Sequence, residues 1–498
     1  MSSREDSPLL GNAHTRDNEA QSLPPEGPPL NTLSKEIWVL LVNGLPVSIS
    51  YMLQNSLQSG CVLMVGQLLD AHALSVVAQA FMLAMVSAWC LGIGGSTAFD
   101  SLASPAVAQN MHAMVSLLYR RTCIILLLLY IPIAIAWWNA ASVLRFLRQD
   151  EDLGEGVQQF LRVLAFGAPG YILFETTKKF CQVQGAVHAA TLTLCVTSPI
   201  NLLLNYFLIH QYGLPGAAIA TSISYWGSFL ILALYSRSGQ PKKCWIDIPL
   251  ALLCEGRAAI QLLKLLVPGF FMVATEWWAF EIVALAAGRL IAPALSAQSV
   301  IMTVDQILNT LPYGLGVAAS IRTGYLLGCG SSRANAQALK VSTRAATLLS
   351  TLVGSIVLLA LMLARTQIAR MFSADPDTIA LVAKVMPLVA AFQVFDGWAG
   401  VCGGVLRGVG RQEAGAVINL AAYYGMALPL GIFLAFKKDL GLSGLWIGQV
   451  LALFLVGAGE LSLVNFAISW RKETQKANHR TQEADQPEFF RQQAESLP

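Results

Sequence analysis

The chain has 498 residues, of which 55% are hydrophobic and 12% are charged, and its formal net charge is +3. An average soluble domain is about one quarter charged, so this composition predicts that most of the chain lies in a membrane. The small net charge and the scattered basic residues argue against a nucleic-acid-binding surface. Nine cysteines occur singly, without a partner at metal-ligand spacing, which favours neither a zinc site nor a disulfide framework.

The first 35 residues are polar and rich in Pro, Ser, Asn and acidic side chains. Such a segment buries too little apolar area to offset its ordering entropy, so we expect residues 1–35 to be a disordered cytoplasmic tail. No apolar segment typical of a cleaved signal peptide follows Met1, so we expect the first span to direct insertion. Glu5, Leu9 and Leu10 are spaced as in an acidic dileucine signal, which sorting adaptors recognise. The alternative is a chance match in a polar tail.

About twelve apolar windows follow between the two tails. A hydrocarbon core of about 30 Å requires about 20 apolar residues per helix, so each window is long enough to span it. Pro46, Pro169, Pro199, Pro268 and Pro312 predict bends within several spans. The windows are approximately 37–60, 72–97, 115–138, 157–181, 186–208, 214–236, 258–288, 294–326, 341–365, 379–404, 412–436 and 443–470.

Basic residues predict the orientation of these spans. Short cytoplasmic connections carry an excess of Lys and Arg, and here the excess falls on alternate connections, which predicts that both termini are cytoplasmic. The residues assigned to that side are Arg120, Arg121, Lys178, Lys179, Lys242, Lys243, Arg333, Lys340, Arg344, Arg407, Arg411, Arg471 and Lys472.

One segment of the chain recurs. Gly213–Ile219 (GLPGAAI) returns as Gly441–Ile447 (GLSGLWI), about half the membrane region later. Two halves of six spans each share one orientation, which is the parallel-repeat class of transporter. The alternative is that small-residue patterns recur in any helical membrane protein.

The repeat interpretation predicts an all-α membrane protein with two six-helix lobes. The N-lobe covers residues 36–236, an inter-lobe cytoplasmic loop covers 237–257, and the C-lobe covers 258–470. Residues 471–498 are polar and are expected to form a disordered cytoplasmic tail.

Two acidic residues, Glu276 and Glu281, lie inside the apolar window of span seven. An ionisable group near the middle of a bilayer costs about 2.5–3.5 kcal/mol or more, so such groups usually face a water-filled path for ions or substrates. This pattern indicates a transporter.

Four motifs, in order, resemble the multidrug and toxin extrusion (MATE) transporters of eukaryotes, and the resemblance covers nearly all of residues 36–470. They are Phe174–Gly185, Thr275–Glu281, Pro312–Arg322, and Gly403–Gln412 followed by Asn419, Tyr423 and Tyr424. Residues Ser50–Gln58 are most similar to the fungal branch of that family.

The resemblance implies a secondary active antiporter, and not an enzyme, that exports or sequesters small organic, often cationic, compounds. Protons are the expected coupling ion, sodium is the alternative, and no cofactor or metal is expected. Glu276 matches the acidic residue of span seven in the family and Asp396 that of span ten, so we interpret them as the ion-coupling pair. Glu281 also matches a family acid, but five residues place it about 140° around the helix from Glu276.

Several positions depart from the family pattern. Bacterial relatives carry an Asp in span one, which corresponds here to Cys61, beyond Gln54, so an N-lobe carboxylate site is not expected. In the family, an acidic motif follows span two; here only its acid is present, as Asp100. Tyr325 stands where the family usually has Asn. Asp305 is an additional carboxylate in span eight, and its role is open. Gln54, Asp100 and Asp305 complete the candidate site.

Trp277 and Trp278 are candidate substrate contacts, since an aromatic face attracts a cation with about 0.5–2 kcal/mol. Lipid-facing packing is the alternative for each indole. Two carboxyl groups in one cavity can share or exchange protons, so protons and a cationic substrate are expected to compete for Glu276 and Asp396.

Two other functions are open as alternatives to an antiporter. A lipid-linked oligosaccharide flippase shares this architecture but is expected to line its cavity with Arg and Lys, and only Arg289, Lys264 and Arg322 approach one. A membrane-embedded transferase lacks support, because the six His form no catalytic or metal pattern.

The expected partners are a small organic substrate, the lipid bilayer and a sorting adaptor at Glu5, Leu9 and Leu10, with no nucleic acid and a monomeric chain. A vacuolar or lysosome-like membrane is favoured, and the plasma membrane is the alternative.

Overall fold

A computed structural model describes residues 32–146, 151–253, 255–290, 293–373 and 375–484. These ranges contain helices and turns and no β-strand, which confirms the all-α membrane class. The dileucine residues Glu5, Leu9 and Leu10 lie outside the described residues.

The helices follow one another with short connections. Their bounds are α1 Leu33–Leu68, α2 Ala71–Ala84, α3 Cys90–Ala108, α4 His112–Trp138, α5 Ala140–Phe146, α6 Glu151–Val183, α7 His188–Tyr212, α8 Leu214–Ser238, α9 Leu250–Leu253, α10 Gly256–Ala287, α11 Pro293–Leu308, α12 Thr310–Gly328, α13 Arg333–Phe372, α14 Pro376–Val409, α15 Gln412–Leu420, α16 Leu428–Phe436, α17 Gly441–Ser462 and α18 Trp470–Ala484. Three π-helical segments, Met85–Trp89, Ala421–Ala427 and Leu463–Ala467, and a 3₁₀ turn, Gln240–Cys244, complete the description.

Within the described residues, ten helical stretches are long and apolar enough to cross a membrane. Here α2 and α3 count as one stretch, and so do α15 and α16, because only a π segment interrupts each. The two remaining predicted windows coincide with α6 and with the α11–α12 pair. Pro46, Pro169, Pro199 and Pro268 lie inside helices, whereas Pro312 lies in the first turn of α12.

We call α1–α8 the N-half and α10–α17 the C-half. One buried apolar cluster is formed chiefly by the N-half and a second by the C-half. The halves meet where α1 and α3 pack against α12 and where α10 packs against α3. This seam between the halves positions the site described below.

The repeated glycine motif has the same local geometry in both copies. Gly213 and Gly441 have φ of +64° and +55°, which favours glycine, and each stands at the start of the following helix. A Cβ at Gly216 would lie 2.1 Å from the Leu208 carbonyl oxygen, and a Cβ at Gly444 would lie 2.6 Å from the Ala435 nitrogen. The motif therefore allows close approach of consecutive helices in both halves.

The C-terminal segment differs from the expectation. Residues Trp470–Ala484 form helix α18, which packs on α3, α12 and α13. Glu473 and Ala477 on this helix are buried, and Arg480 donates a hydrogen bond of 3.0 Å to the Val409 carbonyl. The prediction of a disordered tail from residue 471 is therefore wrong for 471–484, because a polar helix with one small buried face docks on the ends of other helices.

Candidate functional site

A cavity lies between the two halves. Tyr51 and Asn55 of α1 and Ile93 of α3 contribute the N-half wall, and most of the remaining lining comes from α10, α11, α12, α14, α15 and α17 of the C-half. Two of the π-helical segments reach the cavity, through Met85 and Tyr423. Such insertions into a helix often occur at functional sites.

Three acidic side chains line this cavity: Glu276 of α10, Asp396 of α14 and Glu460 of α17. A fourth, Asp305 of α11, interacts electrostatically with both Glu276 and Asp396. The structure thus brings together Glu276 and Asp396, the two residues interpreted as the coupling pair, and adds Asp305 to them.

These carboxylates have few hydrogen-bond donors. The Asn309 amide donates to Asp396 Oδ2 at 3.0 Å, and the Gln393 amide donates to Asp305 Oδ1 at 2.8 Å. Both oxygens of Glu460 are buried and lack a hydrogen-bond partner among the described residues. A buried, uncompensated carboxylate is costly, so this arrangement is suited to taking up positive charge.

Arg407 of α14 is the one cationic side chain among the described residues that line the cavity. Its guanidinium is buried, lies 5.9 Å from the centre of the Tyr313 ring, and interacts electrostatically with Glu276, Glu460 and Asp100. One guanidinium beside four carboxyl groups leaves the C-half side of the cavity with an excess of acidic groups.

The structure separates the remaining candidates on α10. Trp277 lines the cavity next to Glu276, whereas Glu281 does not, in keeping with its angular offset on the helix. Trp278 donates from its indole nitrogen to the Val86 carbonyl at 2.8 Å, so it fixes α10 against the N-half. Among the two indoles, only Trp277 is positioned to contact a substrate.

Gln54 belongs to a buried network within the N-half. Its amide nitrogen donates to Glu175 Oε1 at 2.7 Å, and Lys178 Nζ donates to the same carboxylate oxygen at 2.7 Å and to Gln54 Oε1 at 2.8 Å. The ammonium also lies 3.6 Å from the centre of the Tyr51 ring. Gln54 therefore holds a charge pair together behind the cavity wall formed by Tyr51.

Asp100 is likewise paired in the N-half. Lys179 Nζ lies 2.8 Å from Asp100 Oδ2, and both side chains are buried. Asp100 is therefore placed as the partner of a lysine of α6 and does not line the cavity.

The seam is bridged near the α14–α15 connection and at the start of α1. The Ser101 hydroxyl donates to the Arg407 carbonyl at 2.5 Å, and Gln412 donates to Ser101 Oγ at 2.8 Å. Arg322 of α12 forms a two-contact ion pair with Glu36 of α1, at 2.5 and 3.2 Å. These contacts join the halves at one end of the cavity.

Sequence reasoning missed Glu460 and misassigned four basic residues. Glu460 carries the same signal as Glu276, an acid within an apolar span. Arg121, Lys178, Lys179 and Arg407 were expected on cytoplasmic connections, yet all four are buried within α4, α6 and α14. Lys179 pairs with Asp100, 79 residues away along the chain, whereas Lys178 pairs with Glu175, three residues earlier on the same helix. No cluster of metal-ligating residues occurs in the part of the chain that the structure describes.

A helical membrane bundle whose two halves enclose a cavity with ionisable side chains defines an integral membrane transporter. Residues 46–207 and 268–433 match the MatE family model. The chain therefore belongs to the MatE family, the multidrug and toxin extrusion transporters.

Relatives in several eukaryotes agree with this assignment. An uncharacterized transporter of Schizosaccharomyces pombe is 34% identical over 90% of this chain and 83% of its own length. Multidrug and toxin extrusion protein 2 of Mus musculus is 32% identical over 76% of this chain and 65% of its own length. The crystal structure of a eukaryotic MATE transporter, at 26% identity, matches with a TM-score of 0.78 over 90% of this chain and 99% of that one. The expected eukaryotic MATE membership is confirmed, with fungal proteins among the relatives.

Proposed function

We propose that this transporter is an antiporter that exchanges protons for small organic cations. The observation that carries the proposal is the excess of acidic groups at the cavity: Glu276, Asp396 and Glu460 line it, Asp305 adjoins them, and Arg407 supplies one positive charge among the described lining residues. Three buried carboxylates and the half-buried Glu276, beside one guanidinium, are costly when all are ionised. The site therefore requires further positive charge, as protons or as a bound cation.

Competition between protons and cation couples their movements. When the cavity faces the acidic side, protons occupy Glu276 and Asp396, the negative charge disappears and a bound cation leaves. When the cavity faces the other side, the protons leave and the carboxylates attract the next cation. A ligand shifts such an equilibrium only through its different affinity for the two states, and the charge of these carboxyl groups supplies that difference.

The aromatic lining supports an organic cation as substrate. Tyr51, Trp277, Tyr313 and Tyr423 line the same cavity as the acids. A ring face attracts a cation with about 0.5–2 kcal/mol and tolerates many shapes. A small inorganic ion would need a compact set of oxygen ligands and would gain less from these rings.

Reconstituted vesicles test both the coupling ion and the substrate class. Ethidium, a fluorescent organic cation, should accumulate in proteoliposomes with an acidic interior, and nigericin, which collapses the proton gradient, should stop the uptake. A sodium gradient without a proton gradient should drive none. Uptake driven by sodium alone would reverse the coupling assignment, and the absence of any gradient-dependent uptake would overturn the proposal.

The flippase alternative receives less support from the lining. Of its three candidate basic residues, Arg322 pairs with Glu36, Lys264 is exposed and Arg289 borders a separate apolar groove with Phe433. A pyrophosphate headgroup requires several cations, and the described lining supplies Arg407 alone. The acidic cavity favours a cationic substrate instead.

We further propose that the protein resides in an acidic organelle such as the vacuole, with a sorting adaptor recognising Glu5, Leu9 and Leu10. The lumen of such an organelle supplies the gradient that proton antiport requires. Replacing Leu9 and Leu10 together by Ala should move a fluorescently tagged protein to the plasma membrane without changing uptake in vesicles. An unchanged location would show that the motif is a chance match.

A further inference from the structure

Glu460 lies nearer the α14–α15 connection than Asp396 does, and "deeper" denotes this direction along the cavity. It is two residues from the end of α17, and it faces Gly403 near the end of α14 and Gly415 near the start of α15. Gly403 follows Asp396 by seven residues, which is about 10 Å along the helix. Glu460 therefore lies toward the α14–α15 connection, at the end of the cavity that is bridged by Ser101 and Gln412.

Two glycines and a methionine surround the Glu460 carboxylate. A Cβ at Gly403 would lie 3.2 Å from Glu460 Oε2, and a Cβ at Gly415 would lie 3.2 Å from Oε1. The Met272 methyl group occupies the same space, 2.7 Å from either added Cβ. Larger side chains at Gly403 and Gly415 would crowd the carboxylate, so this position of Glu460 requires glycine at both sites.

The charged and titratable groups around Glu460 come from three elements. Among the described residues, Arg407 and Cys402 of α14, Glu276 of α10 and Tyr423 of the π segment interact electrostatically with it. Arg407 is the one positive charge in this set. Arg407 also interacts with Glu276, so one guanidinium serves both acids.

We propose that Glu460 is a second cation-binding position in this cavity, deeper than Glu276 and Asp396, which takes up a proton or the positive group of the substrate. This inference rests on the proposed antiport function. When a cation leaves Glu460, one proton binds to the carboxylate, and this proton leaves toward the α14–α15 end before the next cation binds. Arg407 serves as a tethered counterion that compensates whichever of Glu276 and Glu460 is unoccupied.

Carbodiimide labelling tests this position on the wild-type protein. Dicyclohexylcarbodiimide adds to protonated carboxyl groups in apolar surroundings, and the stable N-acylurea product is located by mass spectrometry of peptides. We expect an adduct at Glu460 that decreases about fivefold or more when tetraphenylphosphonium saturates the cavity. The exposed Glu413 of α15 is the internal comparison and should carry no cation-protected adduct. An unlabelled Glu460, or labelling that the cation does not change, would overturn the proposal.

Transport by Glu460→Gln in proteoliposomes gives a second, independent readout. We expect uptake driven by a pH gradient to fall about tenfold, while exchange of labelled for unlabelled cation without a gradient, at saturating cation, stays within about twofold of wild type. Equal loss of both activities would indicate a purely structural role and contradict the proposal, as would unchanged driven uptake. Glu413→Gln is the matched control and should behave as wild type.

The two proposals fail in different ways. A wild-type protein without proton-driven uptake would remove the antiport proposal, and cation-protected labelling at Glu460 would still establish the deeper binding position. A wild-type protein with driven uptake but without that labelling would leave antiport standing and remove Glu460 from it.

Discussion

The two halves of the molecule treat buried charge in opposite ways. In the N-half, Asp100 pairs with Lys179 and Glu175 pairs with Lys178, each through a contact of 2.7–2.8 Å. In the C-half, the acids that line the cavity lack a comparable basic partner among the described residues, and Glu460 accepts no hydrogen bond there. A paired charge supports a fixed arrangement, whereas an unpaired carboxylate is free to exchange a proton or bind a cation.

This difference indicates distinct roles for two halves that share the repeated glycine motif. Charge pairs buried in the N-half stabilise one wall of the cavity. Tyr51 belongs to this wall and packs edge-on against Tyr313, with the two ring centres 4.7 Å apart. The C-half contributes the carboxyl groups whose charge is expected to change during transport. The following predictions test that division.

The largest effect is expected at the coupling pair. Glu276→Gln should lower pH-driven uptake about 100-fold, because the amide has nearly the volume of the carboxyl group but does not titrate. Asp396→Asn should behave alike, and the double variant should be no worse than either, since a coupled pair fails as a unit. Uptake by proteoliposomes is the measurement, with a monodisperse elution profile as the control for folding. Normal uptake by Glu276→Gln, or additive losses in the double variant, would contradict this role.

A large loss of stability, and not of coupling, is expected in the N-half. Lys178→Met leaves the buried carboxylate of Glu175 without its counterion, which costs about 3–5 kcal/mol. Combining it with Glu175→Gln removes the uncompensated charge and should restore most of the stability. Thermal stability is measured as the temperature at which the detergent-solubilised protein loses its monodisperse elution peak in size-exclusion chromatography. If the single variant is as stable as the double variant, the pair does not act as described.

A small effect is expected where α18 docks. Arg411 Nη2 lies 2.5 Å from Glu473 Oε1, but the Arg411 side chain is 34% exposed. Lys476 Nζ lies 3.4 Å from the same oxygen. Arg411→Gln should therefore cost about 1 kcal/mol or less. The same thermal assay measures it, and a loss as large as that of Lys178→Met would show that α18 contributes far more than its exposed contacts suggest.

The smallest effect is expected at Cys61. This thiol is buried in the N-half, with Sγ 3.9 Å from the Ala217 carbonyl, to which a serine hydroxyl can also donate. Cys61→Ser should keep uptake within about twofold of wild type, because a buried cysteine acts mainly as a small packing residue. A loss comparable to that of Glu276→Gln would place coupling chemistry in the N-half.

Much of this architecture follows from local patterns in the sequence. Apolar windows of sufficient length predicted the spans, and the repeated Gly213 and Gly441 motifs predicted two related halves. Acids inside apolar windows marked Glu276 and Asp305, and the family motif marked Asp396. Lys178 and Arg407 were misplaced because a basic residue near the end of an apolar window has the same local pattern whether it faces water or a buried acid. Glu460 carries the same local signal as Glu276 and was overlooked, whereas its place beside Gly403 and Gly415 follows only from the fold.

The central claim is that proton exchange belongs to the C-half carboxylates and that the N-half charge pairs are structural. The most direct test is the proton release caused by adding tetraphenylphosphonium to purified protein in weakly buffered solution, followed with a pH indicator. Wild type and the Glu175→Gln, Lys178→Met double variant should release the same number of protons, whereas Glu276→Gln and Asp396→Asn should release fewer. Normal release by Glu276→Gln together with its loss in the N-half variant would contradict the account.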